Sequence, residues 1–300
     1  SALADWGEIF KTDVLALEDI VDSPVIDLQA NPFKVCCLPL NVLASVADTN
    51  TFINDYNNFI QIFPVQYTVT MYIQKYNEST AIWENVGGAL ANELSVSRNN
   101  MTYYSHKIIW QTYLNFATYG GEGKYRLDWD YGSGHKYSNE YCLKTYTQSR
   151  ADETVRIEYT LNSVIGDKLQ TATTDFVGLN FTSQIRLSDA LFNDRAAPFE
   201  VEGVRMSNGR ERTISKGFRE TYKLELRRSP RDLFDLLMYV VLMADDLKVC
   251  DYNRANNDDF VNTLVEVNGE FAPDNSNSRP YPSGSIDFIS RYSNNKKFYS

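Results

Sequence analysis

Eight residues, Lys124-Tyr-Arg-Leu-Asp-Trp-Asp-Tyr131, alternate a charged side chain with an aromatic or aliphatic one without a break. Successive side chains of a strand point to opposite faces, so this register makes one apolar face and one charged face. A helix would scatter the same apolar residues around its circumference. The pattern recurs. Residues 67–75 set Val69, Met71 and Ile73 against Thr68, Thr70 and Gln74, and residues 154–161 align Val155, Ile157, Tyr159 and Leu161. Residues 218–226 align Tyr222, Leu224 and Leu226. A chain written this way must be mainly β.

Turn chemistry separates these runs. Asn77-Glu-Ser-Thr80 predicts a hairpin returning over 81–86, and Gly132-Ser-Gly134 predicts a turn after which 141–147 pairs back. Further strands are expected at 181–187, 199–205, 261–267 and 286–289, with a loop over 272–284. Two stretches have helical spacing. Trp110, Tyr113, Leu114 and Ala117 share one face, and Gly120-Gly121 follow as a stop. The second belongs to a strand-helix-strand unit over 218–252. There Ser229 precedes Pro230 and Asp232, and Leu233, Leu236, Leu237, Val240, Val241 and Ala244 recur at helical spacing over 230–244. Its circumference is nearly all apolar, and at about 15 residues it falls short of the roughly 20 needed to span a bilayer, so it belongs in a core. The expected architecture is an acidic arm (1–30) followed by two β-sandwich-like domains, 31–150 with a short helix and 151–300 with one long buried helix.

Charge is unevenly placed. The whole chain carries −10, which argues against coating nucleic acid or an anionic membrane. Residues 1–30 hold seven acids against Lys11, a net of −6, while residues 195–231 hold ten bases against five acids, a net of +5. An acidic arm and a basic belt on one chain predict head-to-tail assembly, which closes into a ring. In this reading Val14, Leu17, Ile20 and Val21 are the apolar anchor, and Arg205, Arg227, Arg228 and Arg231 are the receiving belt. Arg227, Arg228 and Arg231 also crowd the positive end of the helix, with Asp245-Asp246 at its negative end, so both ends call for compensating partners.

Catalytic signals are weak. Asp128 and Asp130 lie two apart on the charged face of their strand, where solvated carboxylates are expected rather than a glycosidase pair. His106 and His135 are the two histidines, and neither follows a nucleophile elbow. Gly120-Gly-Glu-Gly123 precedes a strand, the reverse of a phosphate loop. Cys36, Cys37, Cys142 and Cys250 fit neither a secreted disulfide framework nor a zinc site and are expected to be reduced thiols. No leader opens the sequence and no run of about 18 apolar residues occurs, which predicts a soluble chain. The expectation is therefore no catalytic residue, no cofactor, no metal and no small-molecule substrate. Twenty Tyr and 16 Phe favour strands and protein contact surfaces, although aromatics over 67–131 also allow a second reading, a secreted β-sandwich module that binds glycans on aromatic platforms.

Several segments resemble a known family: Phe52-Ile-Asn-Asp-Tyr-Asn-Asn-Phe59, Gly121-Glu-Gly-Lys-Tyr-Arg-Leu127, Glu140-Tyr-Cys-Leu-Lys144 with Arg150-Ala-Asp-Glu-Thr-Val-Arg156, and Leu242-Met-Ala-Asp-Asp-Leu-Lys-Val-Cys-Asp-Tyr-Asn253. They are similar to segments of virion structural proteins of tailed bacteriophages of Bacteroidetes hosts, crAss-like phages included. The resemblance spans about residues 50 to 255. It implies a component of the tail, neck or baseplate, mainly β, assembled in the host cytoplasm into a homo-oligomeric ring that touches other virion proteins. Nucleic acid would then meet it only when passing through the ring lumen.

Overall fold

The structure is a computed structural model, and it describes residues 40–44, 55, 57–64, 68–90, 94–98, 106–166, 173–175, 177–178, 180–188, 190–227, 229, 231–250, 263–271 and 283–297. In chain order the first strands are β1 (Leu40–Ala44), β2 (Asn57–Pro64), β3 (Thr70–Asn77), β4 (Ile82–Asn85), β5 (Leu94–Arg98) and β6 (His106–Leu114). Next come β7 (Gly123–Asp130), β8 (His135–Tyr137), β9 (Tyr141–Thr145), the short helix α1 (Gln148–Asp152), β10 (Thr154–Leu161), β11 (Val164–Gly166) and β12 (Thr173–Asp175). The chain goes on through β13 (Phe181–Ser188), β14 (Ala190–Ala196), β15 (Phe199–Arg205), β16 (Glu211–Leu226), helix α2 (Arg231–Leu236), β17 (Asp246–Cys250), β18 (Thr263–Val267) and β19 (Gly284–Lys297). The mainly β composition required by the alternating runs is present.

One 14-stranded sheet dominates, in the order β14-β16-β19-β18-β17-β10-β13-β1-β9-β7-β3-β4, with β15 added on β16 and β8 on β7. Its pairs are antiparallel except β1 with β9. A three-stranded sheet, β2-β6-β5, and the pair β11-β12 complete the described strands. The large sheet does not stop near residue 150: β1 pairs with β13, Asn41 opposite Arg186. Buried apolar residues from both sides of that point also form one cluster. The boundary drawn at 150 therefore falls within α1, between strands of one continuous sheet.

The apolar face read from residues 124–131 is real. Tyr125, Leu127 and Trp129 of β7 are fully buried, and Phe59 of β2 packs edge-on against Trp129 (6.3 Å between centroids), Tyr141 (5.4 Å) and Phe116 (5.9 Å). The smaller sheet is thus fastened to the larger one by aromatic edge-to-face contacts, each worth about 0.5–1.5 kcal/mol beyond simple burial. In the second half, Phe192 stacks on Tyr222 at 5.1 Å above Leu224, Leu226, Ile286 and Phe288, which are all buried. The predicted hairpin over 67–86 is formed by β3 and β4, and β9 returns on β7 as the turn chemistry required.

Two helical expectations change. The stretch around Trp110 to Ala117 is not a helix: His106–Leu114 is the central strand of the small sheet, bonded to β2 on one side and β5 on the other. Ile108, Ile109, Trp110, Thr112 and Tyr113 are β-branched or aromatic, and double-sided pairing outweighs their helical spacing. A single 3-10 turn, Phe116–Tyr119, follows, capped by the Asn115 side chain accepting from Ala117 N–H at 2.9 Å and ended at Gly120, whose φ is 139°. The long helix expected over 230–244 is also shorter. It is the six-residue α2 followed by a five-residue π turn, Leu237–Val241, closed by Leu242 N–H donating to the Leu237 carbonyl at 2.8 Å. Leu233, Phe234, Leu236, Leu237, Val240 and Val241 are buried as the spacing demands, whereas Met243 is 64% exposed. The acids beyond it have partners. Asp245 accepts from Asn162 N–H at 2.6 Å, and Asp246 is paired with Arg291. The proline before α2, the pair Cys36-Cys37 and the acidic arm lie outside the described residues. Cys142 is a free thiol.

Candidate interaction surfaces

The charged face of β7 is organised by its neighbours. Register places Gln74 of β3 beside Arg126, Tyr72 beside Asp128, and Tyr137 of β8 across from Asp128 on the other side. Arg126 is held flat: its Cζ lies 4.3 Å from the Trp83 ring centre and 3.8 Å from that of Tyr137, while its Nε donates to Gln74 Oε1 at 2.8 Å. Tyr76 packs against Trp83 at 5.3 Å, and His135 stacks parallel to Tyr137 at 6.1 Å. A row of flat groups, Tyr76, Trp83, Arg126, Tyr137 and His135, therefore crosses four strands. Beneath it Gln74 Nε2 donates to Asn85 Oδ1 (3.0 Å) and to Asp128 Oδ2 (3.1 Å), and His135 Nδ1 lies 3.0 Å from Asp128 Oδ1.

Asp128 was expected to be solvated with Asp130, but it is 2% exposed. The β7–β8 hairpin folds His135 and Tyr137 over it, which alternation along one strand cannot reveal. Burial pushes its carboxyl above the ordinary range, opposed by the hydrogen bond from His135. Asp130 instead accepts from Gly132 N–H at 2.8 Å within the turn. An Asp–His pair is two parts of a hydrolytic triad. Among the described residues, no Ser, Thr or Cys side chain hydrogen-bonds to His135, whose ring instead positions Tyr137.

At the end of β3 a groove of about 490 Å³ wraps round the sheet, lined by Lys75, Asn77 and Glu84, which lie on the face opposite Tyr76, and by Glu122 and Lys144, among others. Glu122 accepts from Arg150 Nη1 at 2.6 Å and from Thr145 N–H at 2.9 Å. These bonds, the Arg150 one foremost, lower its pKa from 4.5 to about 2.

A second surface lies at the other end of the sheet. β15 and the first half of β16 form a hairpin whose pairing runs from Phe199 opposite Phe218 to Arg205 opposite Glu211. Its turn is built by Gly209 N–H donating to the Met206 carbonyl and Met206 N–H donating to the Arg210 carbonyl; Gly209 has a φ of 78°, a left-handed conformation that glycine adopts without strain. β14 stops pairing with β16 at Thr221 and β18 reaches β19 only to Ser290, so among the described residues the ribbon of β15, β16 and β19 continues beyond its neighbours in the sheet. β15 is exposed along its whole length. Phe199 (57%), Val201 (59%), Val204 (50%) and Met206 (44%) are in solvent, with Lys216 Nζ 4.5 Å from the Phe199 ring centre.

Between these surfaces lies a buried ion cluster. Arg186 of β13 grips Asp55 with two bonds, Nε to Oδ2 and Nη2 to Oδ1, both 2.6 Å, and donates through Nη1 to Thr154 Oγ1 at 2.8 Å. Arg156, opposite Arg186 in register, reaches Asp55 Oδ1 at 3.4 Å. All three are at least 96% buried: Asp55 is 4%, Arg156 1% and Arg186 3% exposed. Arg156 sits at a strand position that alternation assigns to the face opposite Val155 and Ile157. That face of β10 is buried at Arg156 and half-buried at Thr154, Glu158 and Thr160.

The belt residues expected to act together are dispersed. Arg205 lies at the hairpin tip and Arg227 just past the far end of β16, a strand of 16 residues and so about 50 Å long. Arg231 opens α2, and Arg228 lies outside the described residues, as do Val14, Leu17, Ile20 and Val21. Glu225 lies 3.7 Å from both Lys223 and Arg227, and Glu266 lies 3.2 Å from Arg219. Among the described residues, no helix is long and apolar enough to cross a membrane, and no cluster of His, Cys, Asp and Glu could hold a metal ion. No family model matches the chain, and no curated protein is similar to it.

Proposed function

We propose that this protein is a structural component of a bacteriophage virion, placed in the tail, neck or baseplate, that works by joining copies of itself into a ring and by touching other virion proteins. The observation that carries this reading is the ribbon of β15, β16 and β19. There β15 is exposed throughout and residues 211–221 of β16 are exposed or half-buried, and such a ribbon normally needs a covering layer. Four large apolar side chains and a β15 edge that pairs with no further strand among the described residues supply what a covering layer would bind. A second copy meets that need repeatedly and with one geometry, which is how rings are made. In this reading the two halves act as β-sandwich-like units, the protein is not an enzyme, and assembly takes place in the host cytoplasm.

The acidic segment 1–30 adds a second contact, with Val14, Leu17, Ile20 and Val21 buried on the neighbouring copy and its acids facing Arg205, Arg227, Arg228 and Arg231. Burial of each apolar anchor contributes about 1.5–3 kcal/mol, against about 0–1 kcal/mol for an exposed ion pair. Sedimentation velocity on the purified chain is expected to show one discrete high-order species, weakened strongly by deleting residues 1–30. Changing Arg227, Arg228 and Arg231 to Glu should weaken it less, and in a salt-dependent way. A monomer at all concentrations would refute the reading.

A further inference from the structure

The row of flat groups on β3, β4, β7 and β8 has a property that self-association does not use. Arg126 is held by two rings and one hydrogen bond that its Nε donates, yet its two terminal nitrogens donate no hydrogen bond to any described residue, and the side chain is half-exposed. A guanidinium held this way has already lost the rotamer freedom that a flexible arginine gives up on binding. Its open edge is a planar fork of N–H donors, the geometry that matches a carboxylate with two parallel bonds. On either side the aromatic groups Trp83 and Tyr137 are half-exposed, flat and fixed. We infer that this row is a binding site for an acidic polysaccharide, one uronate carboxylate on Arg126 and neighbouring sugar rings against the exposed edges of Trp83 and Tyr137.

Three further observations favour a sugar chain over an isolated anion. The row crosses strands set about 4.8 Å apart, close to the length of one pyranose unit, so successive rings meet successive strands. It lies on the face of the sheet, where a polymer can pass across. The polar floor is already saturated: Asp128 is engaged by Gln74 and His135, so the buried carboxylate does not face the incoming one unscreened. Asp128 and His135 act as positioning residues, because their pair holds the His135 ring on Tyr137 and Tyr137 on Arg126. The inference stands for a ring-forming protein as well as for a monomer.

The test is affinity electrophoresis and calorimetry of the full chain with polygalacturonate, alginate and hyaluronate, beside carboxyl-reduced polygalacturonate and polyglutamate. At least one uronate polymer is expected to bind in a salt-sensitive way, with the carboxyl-reduced polymer and polyglutamate each weaker by about tenfold or more, the loss expected when a charged hydrogen-bonded pair is removed. Arg126→Lys keeps the charge but loses the fork, and should weaken binding by about tenfold or more. Trp83→Ala, a change on an edge strand, should weaken it through the lost ring while leaving the circular dichroism spectrum unchanged. Absence of binding to all three uronate polymers would overturn the inference. So would equal binding by the Arg126→Lys protein, or a preference for polyglutamate, which would mark the row as a peptide site.

Discussion

The seam at β10 and β13 and the ribbon of β15, β16 and β19 belong to one sheet but invert each other's chemistry. The seam hides a carboxylate and two guanidinium groups; the ribbon leaves four large apolar side chains in water. Charges are taken out of water only where geometry repays the desolvation, as the two 2.6 Å bonds between Arg186 and Asp55 do. The seam is therefore finished on folding, whereas the ribbon would be finished only in the proposed assembly.

The sharpest way to break this contrast is at the seam. Asp55→Ala leaves two buried guanidinium groups without their shared carboxylate and should destabilise the fold by about 3–5 kcal/mol, read from urea unfolding. A loss near that of a surface ion pair, below about 1 kcal/mol, would show that the cluster does not organise the interior. At the ribbon the same kind of change should do the opposite. Phe199→Ser with Val201→Ser is expected to weaken self-association by about 1.5–3 kcal/mol per side chain while moving the unfolding midpoint of the isolated subunit by no more than about 0.5 kcal/mol. Equal effects on both measurements would mean that the ribbon packs on its own subunit.

The smallest effect concerns Glu122, whose charge is held outside both regions. Its folded pKa lies below the ordinary value, so the stabilisation is present above about pH 4.5 and is lost as the pH falls towards about 2. Glu122→Gln should flatten that part of the acid limb in a thermal melt, and an unchanged slope would remove the Arg150 and Thr145 bonds from the account.

What could be read from the residues was local. Alternation and turn chemistry are written within eight or ten positions, so Tyr125, Leu127 and Trp129 could be assigned to the core, and the β3–β4 and β7–β9 pairings followed from the turns between them. Burial that depends on distant chain was hidden. Asp128 is covered by a hairpin and Arg156 by a carboxylate about a hundred residues away, so both look like wet-face residues in sequence. Residues 106–114 carry both periods at once, and the choice fell to two neighbouring strands that the segment itself does not encode. The Trp83, Arg126 and Tyr137 row could have been suspected from an arginine inside an aromatic-rich hairpin, but stacking distances exist only once β4 and β8 flank it.

The buried cluster also bears on how the polypeptide can be divided. Asp55 stands 101 residues before Arg156 and 131 before Arg186, so a cut between α1 and β10 puts the carboxylate on one fragment and both guanidinium groups on the other. Neither fragment could close its interior without stranding a charge, and β1 and β13 would each lose a neighbour in the sheet. The chain is accordingly expected to unfold as one cooperative unit across residue 150, and a split protein to regain its shape through mutual complementation of the two pieces, not through the independent folding of either.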